Sequence, residues 1–229
     1  MSRTEQAAAR RRERWILVAI LVGVVVLAVG GGIGVQAWRT GRAPAPAASA
    51  SAIEPSAAPV TLAAGQPITF GAAGAARTVT LFVDFHCPHC AEFEESYGSV
   101  LDEARQAGRI RVEIYPMSFI DEGSAAAANA FGCAAQAGFG PPYFDGLFAN
   151  PTLRWSDEQL LALPAAVGIT ATPTFEQCVT GRTNADWVES VNAAAAEPGV
   201  SSTPTLLVDG TAVDLTKLTP ADLATKINS

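Results

Sequence analysis

A chain of 229 residues with 49% apolar and 7% aromatic content is too apolar to be disordered, and its length fits one or two domains. Four cysteines are too few for a disulfide-dense miniature scaffold, so the core must come mainly from burial. The formal charge of −7 is unevenly placed: residues 1–42 carry seven Arg and two Glu, a balance of +5, and the rest carries eight basic against twenty acidic groups, a balance of −12. An acidic body excludes nucleic acid as the main partner, because phosphate binding needs a basic footprint.

From Trp15 to Val35 twenty-one residues run without a charge. As a helix this run spans about 31 Å, the thickness of a bilayer core, and a transmembrane helix is assigned to 15–38. Arg3, Arg10, Arg11, Arg12 and Arg14 precede it, and only Arg39 and Arg42 follow closely. The positive-inside bias keeps residues 1–14 in the cytoplasm and puts the remainder outside. The alternative is a cleaved secretory signal with a cleavage site near Val35-Gln36-Ala37, although the apolar run exceeds the usual length of such a segment. Residues 39–60 form an Ala/Pro/Ser linker whose stretch 43–59 reaches about 23 Å as a flexible coil. The body then occupies 61–229, with no internal repeat.

Thr78 to Phe85 is β-branched and aromatic, the pattern of a central strand buried on both faces. Cys87-Pro88-His89-Cys90 follows, and then Phe93, Tyr97, Val100, Leu101 and Ala104 recur at helical spacing until Gly108. Ile110, Val112 and Ile114 alternate with Arg111, Glu113 and Tyr115 as a second strand. Between about 120 and 197 helix signals dominate and strand signals are absent. Strand character returns at Thr205–Val208, turns at Asp209-Gly210 and runs on from Thr211 to Leu215, a predicted hairpin. Thr219-Pro220 opens a last helix. The expected fold class is α/β: a small core interrupted by a helical insertion.

A lone C-x-x-C also suits half of a zinc site, but Cys133 and Cys178 stand singly rather than as a second close pair. Placed where a buried strand gives way to a helix, Cys87 meets free N–H groups and the positive end of the helix dipole, which favour its thiolate. His89 adds to that stabilisation, while Cys90, one turn in, is expected to be buried and less acidic, the resolving thiol. A Cys87 pKa three units below neutrality stabilises the reduced form by roughly 4 kcal/mol, equal to about 90 mV toward a stronger oxidant. A metal reading of His86, Cys87, His89 and Cys90 is disfavoured by the crowding of four ligands at one helix start, and no cofactor is expected.

FVDFHCPHC, a helical insertion and then GVSSTPTLLVDG resemble the DsbA family of exported disulfide oxidoreductases, over roughly residues 66 to 229. The resemblance implies a thioredoxin fold with an inserted helical domain. It makes Cys87 and Cys90 the catalytic pair, Pro88 and His89 its tuning residues, and Thr203-Pro204 a cis peptide packed beside the motif where substrate binds. The similar Thr172-Pro173 reads instead as a helix N-cap followed by proline at the first helical position. One departure stands out: the buried acid that the family pattern places six residues before the first Cys is Leu81 here. The nearest acid is Asp84, a candidate for proton transfer although strand alternation puts it on the opposite face. His86 either lines the substrate surface or merely ends the strand.

Cys133 and Cys178 remain once 87 and 90 pair by proximity, and in an oxidising compartment a structural disulfide is expected of them. Two free buried thiols or a second redox relay are the alternatives. The function expected is an extracytoplasmic, membrane-tethered thiol:disulfide oxidoreductase that donates the Cys87–Cys90 disulfide to reduced exported proteins. As the resemblance implies, a membrane partner of the DsbB or VKOR kind reoxidises it. A reductase or isomerase with the same site is the first alternative, and a metal- or client-binding module the second.

Overall fold

The computed structural model describes residues 58–149, 154–196 and 199–228. The transmembrane and linker assignments at 15–38 and 39–60 therefore lie outside the described residues, except for the last three positions of the linker. Among the described residues no helix is long and apolar enough to cross a membrane.

The elements run β1 (Ile68–Gly71), β2 (Arg77–Val83), α1 (Pro88–Gln106), β3 (Ile110–Pro116), α2 (Glu122–Gln136), α3 (Gly140–Phe148), α4 (Asp157–Ala166), α5 (Pro173–Thr180), α6 (Ala185–Ala196), β4 (Thr205–Val208), β5 (Thr211–Ala212) and α7 (Pro220–Asn228). They form one five-stranded sheet in the order β1-β3-β2-β4-β5. β2 and β3 pair in parallel across the α1 crossover, while β1 joins β3, and β4 joins β2, antiparallel. This is the α/β core with a helical insertion, α2 to α6, that the sequence predicts.

The central place of β2 explains its composition: its last five residues, Val79–Val83, are all buried, as a strand covered on both faces requires. β3 alternates buried and half-buried positions along its length. α1 closes with Gly108 at φ 70°, and the Gly108 and Arg109 N–H groups donate to the Arg105 and Ala104 carbonyls at 3.0 and 2.9 Å, a Schellman end. The few aromatics are concentrated where the sheet meets the insertion. Phe85 packs on Phe131, Phe144 and Phe148 with centroids 5.5, 5.9 and 5.1 Å away, tying the end of β2 to α2 and α3.

Three local expectations need correction. The first strand ends at Val83 rather than Phe85, because the chain turns there, with the Cys87 N–H donating to the Asp84 carbonyl at 3.0 Å. β5 covers only Thr211–Ala212, since Asp214 accepts from Thr216 N and Oγ1 and bends the chain out of the ladder. The sequence reading also missed β1, an edge strand whose only signal is the buried pair Ile68 and Phe70.

Candidate active site at the start of helix α1

The turn after β2 makes Cys87 the N-cap of α1, with extended backbone at φ −85° and ψ 116°, and Pro88 occupies the first turn, where its missing N–H costs nothing. Cys87 is 9% exposed and Cys90 fully buried, and both are free thiols. The Cys87 Sγ lies 3.4 Å from the Thr203 carbonyl oxygen, brought there by β4, whose first residue Thr205 pairs with Phe82. The Thr203-Pro204 peptide is cis and sits beside the CPHC turn, while Thr172 caps α5 by accepting from the Phe175 N–H at 3.2 Å. Both Thr-Pro pairs are thus where the sequence reading put them.

The two sulfurs are held at opposite acidities. Cys87 is pushed down to about 5, first by the hydrogen bond from the Cys90 thiol, then, against the cost of its burial, by the Thr203 side chain rather than its carbonyl, and by the backbone N–H groups of Cys90 and His89. Cys90 is pushed far up by burial and by its bond to Cys87, so it stays protonated. At neutral pH the Cys87 thiolate therefore lies two units below neutrality rather than three. That favours the reduced form by about 2.7 kcal/mol, or roughly 60 mV, and by less where water screens the sulfur.

His89 contributes by two routes. Its ring is exposed and pairs with Glu92 at 2.9 Å, which raises its pKa, with a smaller contribution from Cys87. That attraction is mutual and favours the Cys87 thiolate, and the backbone N–H of position 89 adds a hydrogen bond to it.

His86 is buried, and the Trp155 N–H donates to its Nε2 at 3.1 Å. The ring is thus neutral with its proton on Nδ1, which donates to Asp121 Oδ1 at 2.8 Å. Burial holds its pKa below the usual value, opposed by Asp84 and assisted by Arg154. Asp121 also caps α2 through the Ser124 N–H and takes the Arg154 guanidinium. Asp84, fully buried, accepts from His86 N at 2.8 Å, Phe119 N at 2.9 Å, Ile120 N at 3.2 Å and Ser124 Oγ at 2.8 Å. Its backbone N–H is the part that meets Cys90 Sγ, at 3.5 Å. Asp84 and Asp121 together fasten the residues just ahead of the nucleophile to the insertion. Asp121, Trp155 and Gly123 escaped the sequence reading, since they lie 35 or more residues from His86.

Gly123 leaves the space that the His86 ring fills: a Cβ there would lie 2.3 Å from Cε1. Gly123→Ala is expected to destabilise by about 1–3 kcal/mol through overpacking and to change the alkylation rate of Cys87, checked by urea unfolding and iodoacetamide kinetics. An unchanged alkylation rate would show that the His86 network does not reach the sulfur.

A family model described as thioredoxin matches residues 63–229. The chain belongs to the thioredoxin family. Among solved structures it is similar in fold to the reduced disulfide bond oxidoreductase DsbG of Mycobacterium tuberculosis, with a TM-score of 0.61 and 22% identity over 72% of this chain and 88% of that one. DsbA from the same organism, also reduced, gives 0.61 and 22% over 71% and 91%. MdbA, a thiol-disulfide oxidoreductase from Actinomyces oris, gives 0.62 and 22% over 81% and 99%. No curated protein matches. Within this thioredoxin-family chain, the acidic sulfur at the helix start and the buried sulfur one turn in are equipped for thiol–disulfide exchange.

Proposed function

We propose that the protein is a protein disulfide oxidoreductase of the DsbA type that works as an oxidase outside the cytoplasm, tethered by its N-terminal apolar segment. The observation that carries this reading is the opposed acidity of Cys87 and Cys90. A substrate thiolate attacks Cys87 Sγ of the oxidised pair, the Cys87–Cys90 bond breaks, and Cys90 leaves with a proton. A second substrate thiol then attacks the substrate sulfur of the mixed disulfide and expels Cys87 as a thiolate. The substrate gains a disulfide and the CPHC pair gains two electrons. Because the departing Cys87 is stabilised as an anion, the overall transfer runs toward substrate oxidation. A quinone-linked membrane partner of the DsbB or VKOR kind then removes the electrons.

The equilibrium potential of Cys87–Cys90 in glutathione buffers tests the direction. A value toward the DsbA end, about −120 mV, supports the oxidase, whereas one near thioredoxin, about −270 mV, replaces it with a reductase. Protease accessibility of the body in intact cells tests the topology: a protected body overturns the exported reading.

A further inference from the structure

Along α1, from Ala91 just past the CPHC motif to Asp102, a cleft opens between α1 and α3. Its mouth, of about 570 Å³, is bordered by Ala91, Glu95 and Phe148, and it narrows to a chamber of about 40 Å³ walled by Phe70, Leu101 and Phe144. Glu94, Gly98, Asp102 and Asp145 line both parts and so form the neck. Asp102 is taken up by Arg105, whose Nε and Nη2 donate to its Oδ1 at 3.1 and 2.7 Å. Glu94 Oε1 is buried with no hydrogen-bond partner among the described residues, a costly state for a carboxyl oxygen. Burial, then Asp145 and Asp102, pushes Glu94 up to about 8, and burial and Asp102, against Arg105, push Asp145 up to about 7. Gly98, a poor helix former in the middle of α1, borders the neck, and a Cβ there would lie 3.0 Å from Glu94 Oε2 and crowd that carboxylate.

A neck with three carboxyls and one guanidinium is short of positive charge whenever Glu94 and Asp145 ionise. No group of three or more His, Cys, Asp or Glu among the described residues is arranged to hold a metal ion. The apolar walls suit instead a cation that carries its own hydrocarbon stem. We propose that this cleft binds an alkylammonium or alkylguanidinium group, with its charged head at Glu94 and Asp145 and its stem along Phe148. The head belongs either to a free amine or to a Lys or Arg side chain of a partner protein.

Binding requires the carboxyls to ionise, so it releases protons near neutrality and strengthens as pH rises through 7 to 8. The test is calorimetric titration of the full chain in detergent with butylguanidinium, with pentanamide as the neutral counterpart. Expected are saturation in the millimolar range, affinity at least about tenfold higher at pH 8.5 than at pH 5.5, and no saturation by pentanamide. Glu94→Gln and Asp145→Asn should each weaken binding about tenfold or more. Gly98→Ala, which favours the helix but crowds the Glu94 carboxylate, should weaken binding while remaining folded, and Glu158→Gln on α4 should change nothing. A peptide with a single Lys that binds more tightly than butylguanidinium assigns the site to a partner side chain, and the reverse order assigns it to a free cation. Equal binding of the cation by Glu94→Gln and the parent, or a response to pentanamide, overturns the proposal. None of these readouts involves turnover, so the result stands apart from the oxidase reading.

Discussion

Cys87→Ser is expected to abolish oxidative refolding of a reduced substrate, lowering the rate at least about thousandfold, because it removes the atom on which the mixed disulfide forms. Cys90→Ala has no disulfide to donate and should lose oxidation as well, but its Cys87 thiolate can still attack the disulfide of an oxidised substrate, expelling one substrate thiolate and leaving a mixed disulfide that no Cys90 thiol is there to resolve, visible on non-reducing gels. It also removes the leading cause of the low Cys87 pKa. The thiolate absorbance of the reduced protein should titrate with a midpoint near 5, and in Cys90→Ala the midpoint should rise by about one unit. The folded pKa of Cys87 is depressed, so the stability it lends the reduced form is full above the unfolded value near 9 and is lost as pH falls through 5. The reduced form should therefore gain on the oxidised form by up to about 2 kcal/mol between pH 5 and 7, measurable by urea unfolding of both. A midpoint near the ordinary thiol value would remove the energetic basis for disulfide donation.

The second large effect concerns the other cysteine pair. Cys133 on α2 and Cys178 on α5, 45 positions apart in the chain, are joined, with S–S 2.02 Å. This is the pairing the sequence predicts, and it closes a loop over most of the insertion. Joint replacement of both by Ala is expected to cost about 4 kcal/mol in the chain-entropy picture. The cost rises further because the site is built around the sulfurs: Asn184 Nδ2 lies 3.4 Å from each, and Thr183 Oγ1 donates to Cys178 at 2.9 Å. Thr183 loses its acceptor, and Asn184 Nδ2 is left with Gln136 Oε1, 3.0 Å away, alone. Thermal unfolding measures the loss, while refolding activity well below the melting temperature should survive, since the pair does not touch Cys87. A loss under about 1 kcal/mol would show that the bond does not brace the fold.

Residues that act through near neighbours in the chain were legible in the sequence. The strand–CPHC–helix order placed Cys87 at the helix start, and the helical run FEQCV that follows Pro173 told the capping Thr-Pro pair from the strand-forming one at 203–205. Asp84 was harder. Strand alternation assigned it a face, but β2 has already ended at Val83, so alternation no longer governs it and its carboxylate turns to the 119–124 segment. Glu94 reads as part of a solvated run, EFEES, and only the packing of α3 on α1 encloses it. His86 has no sequence signal for Trp155, 69 residues further on, whose N–H sets its tautomer. What stayed hidden is tertiary, and in each case the concealed partner comes from the helical insertion.

Thr203 stands 116 residues beyond Cys87 in the chain. A polypeptide is made from its N-terminus, so both cysteines exist before the segment that completes their setting has been synthesised. His86 likewise waits for Asp121 and Trp155, and Asp84 for Phe119 and Ile120. A nascent or truncated chain ending before β4 carries the full CPHC tetrapeptide without the threonine that helps acidify its first sulfur. Cys90 and the helix start supply the larger share of the acidity early, the Thr203 share arrives only with β4, and an unfinished copy is to that extent the weaker oxidant toward its own Cys133 and Cys178 while these are still seeking each other.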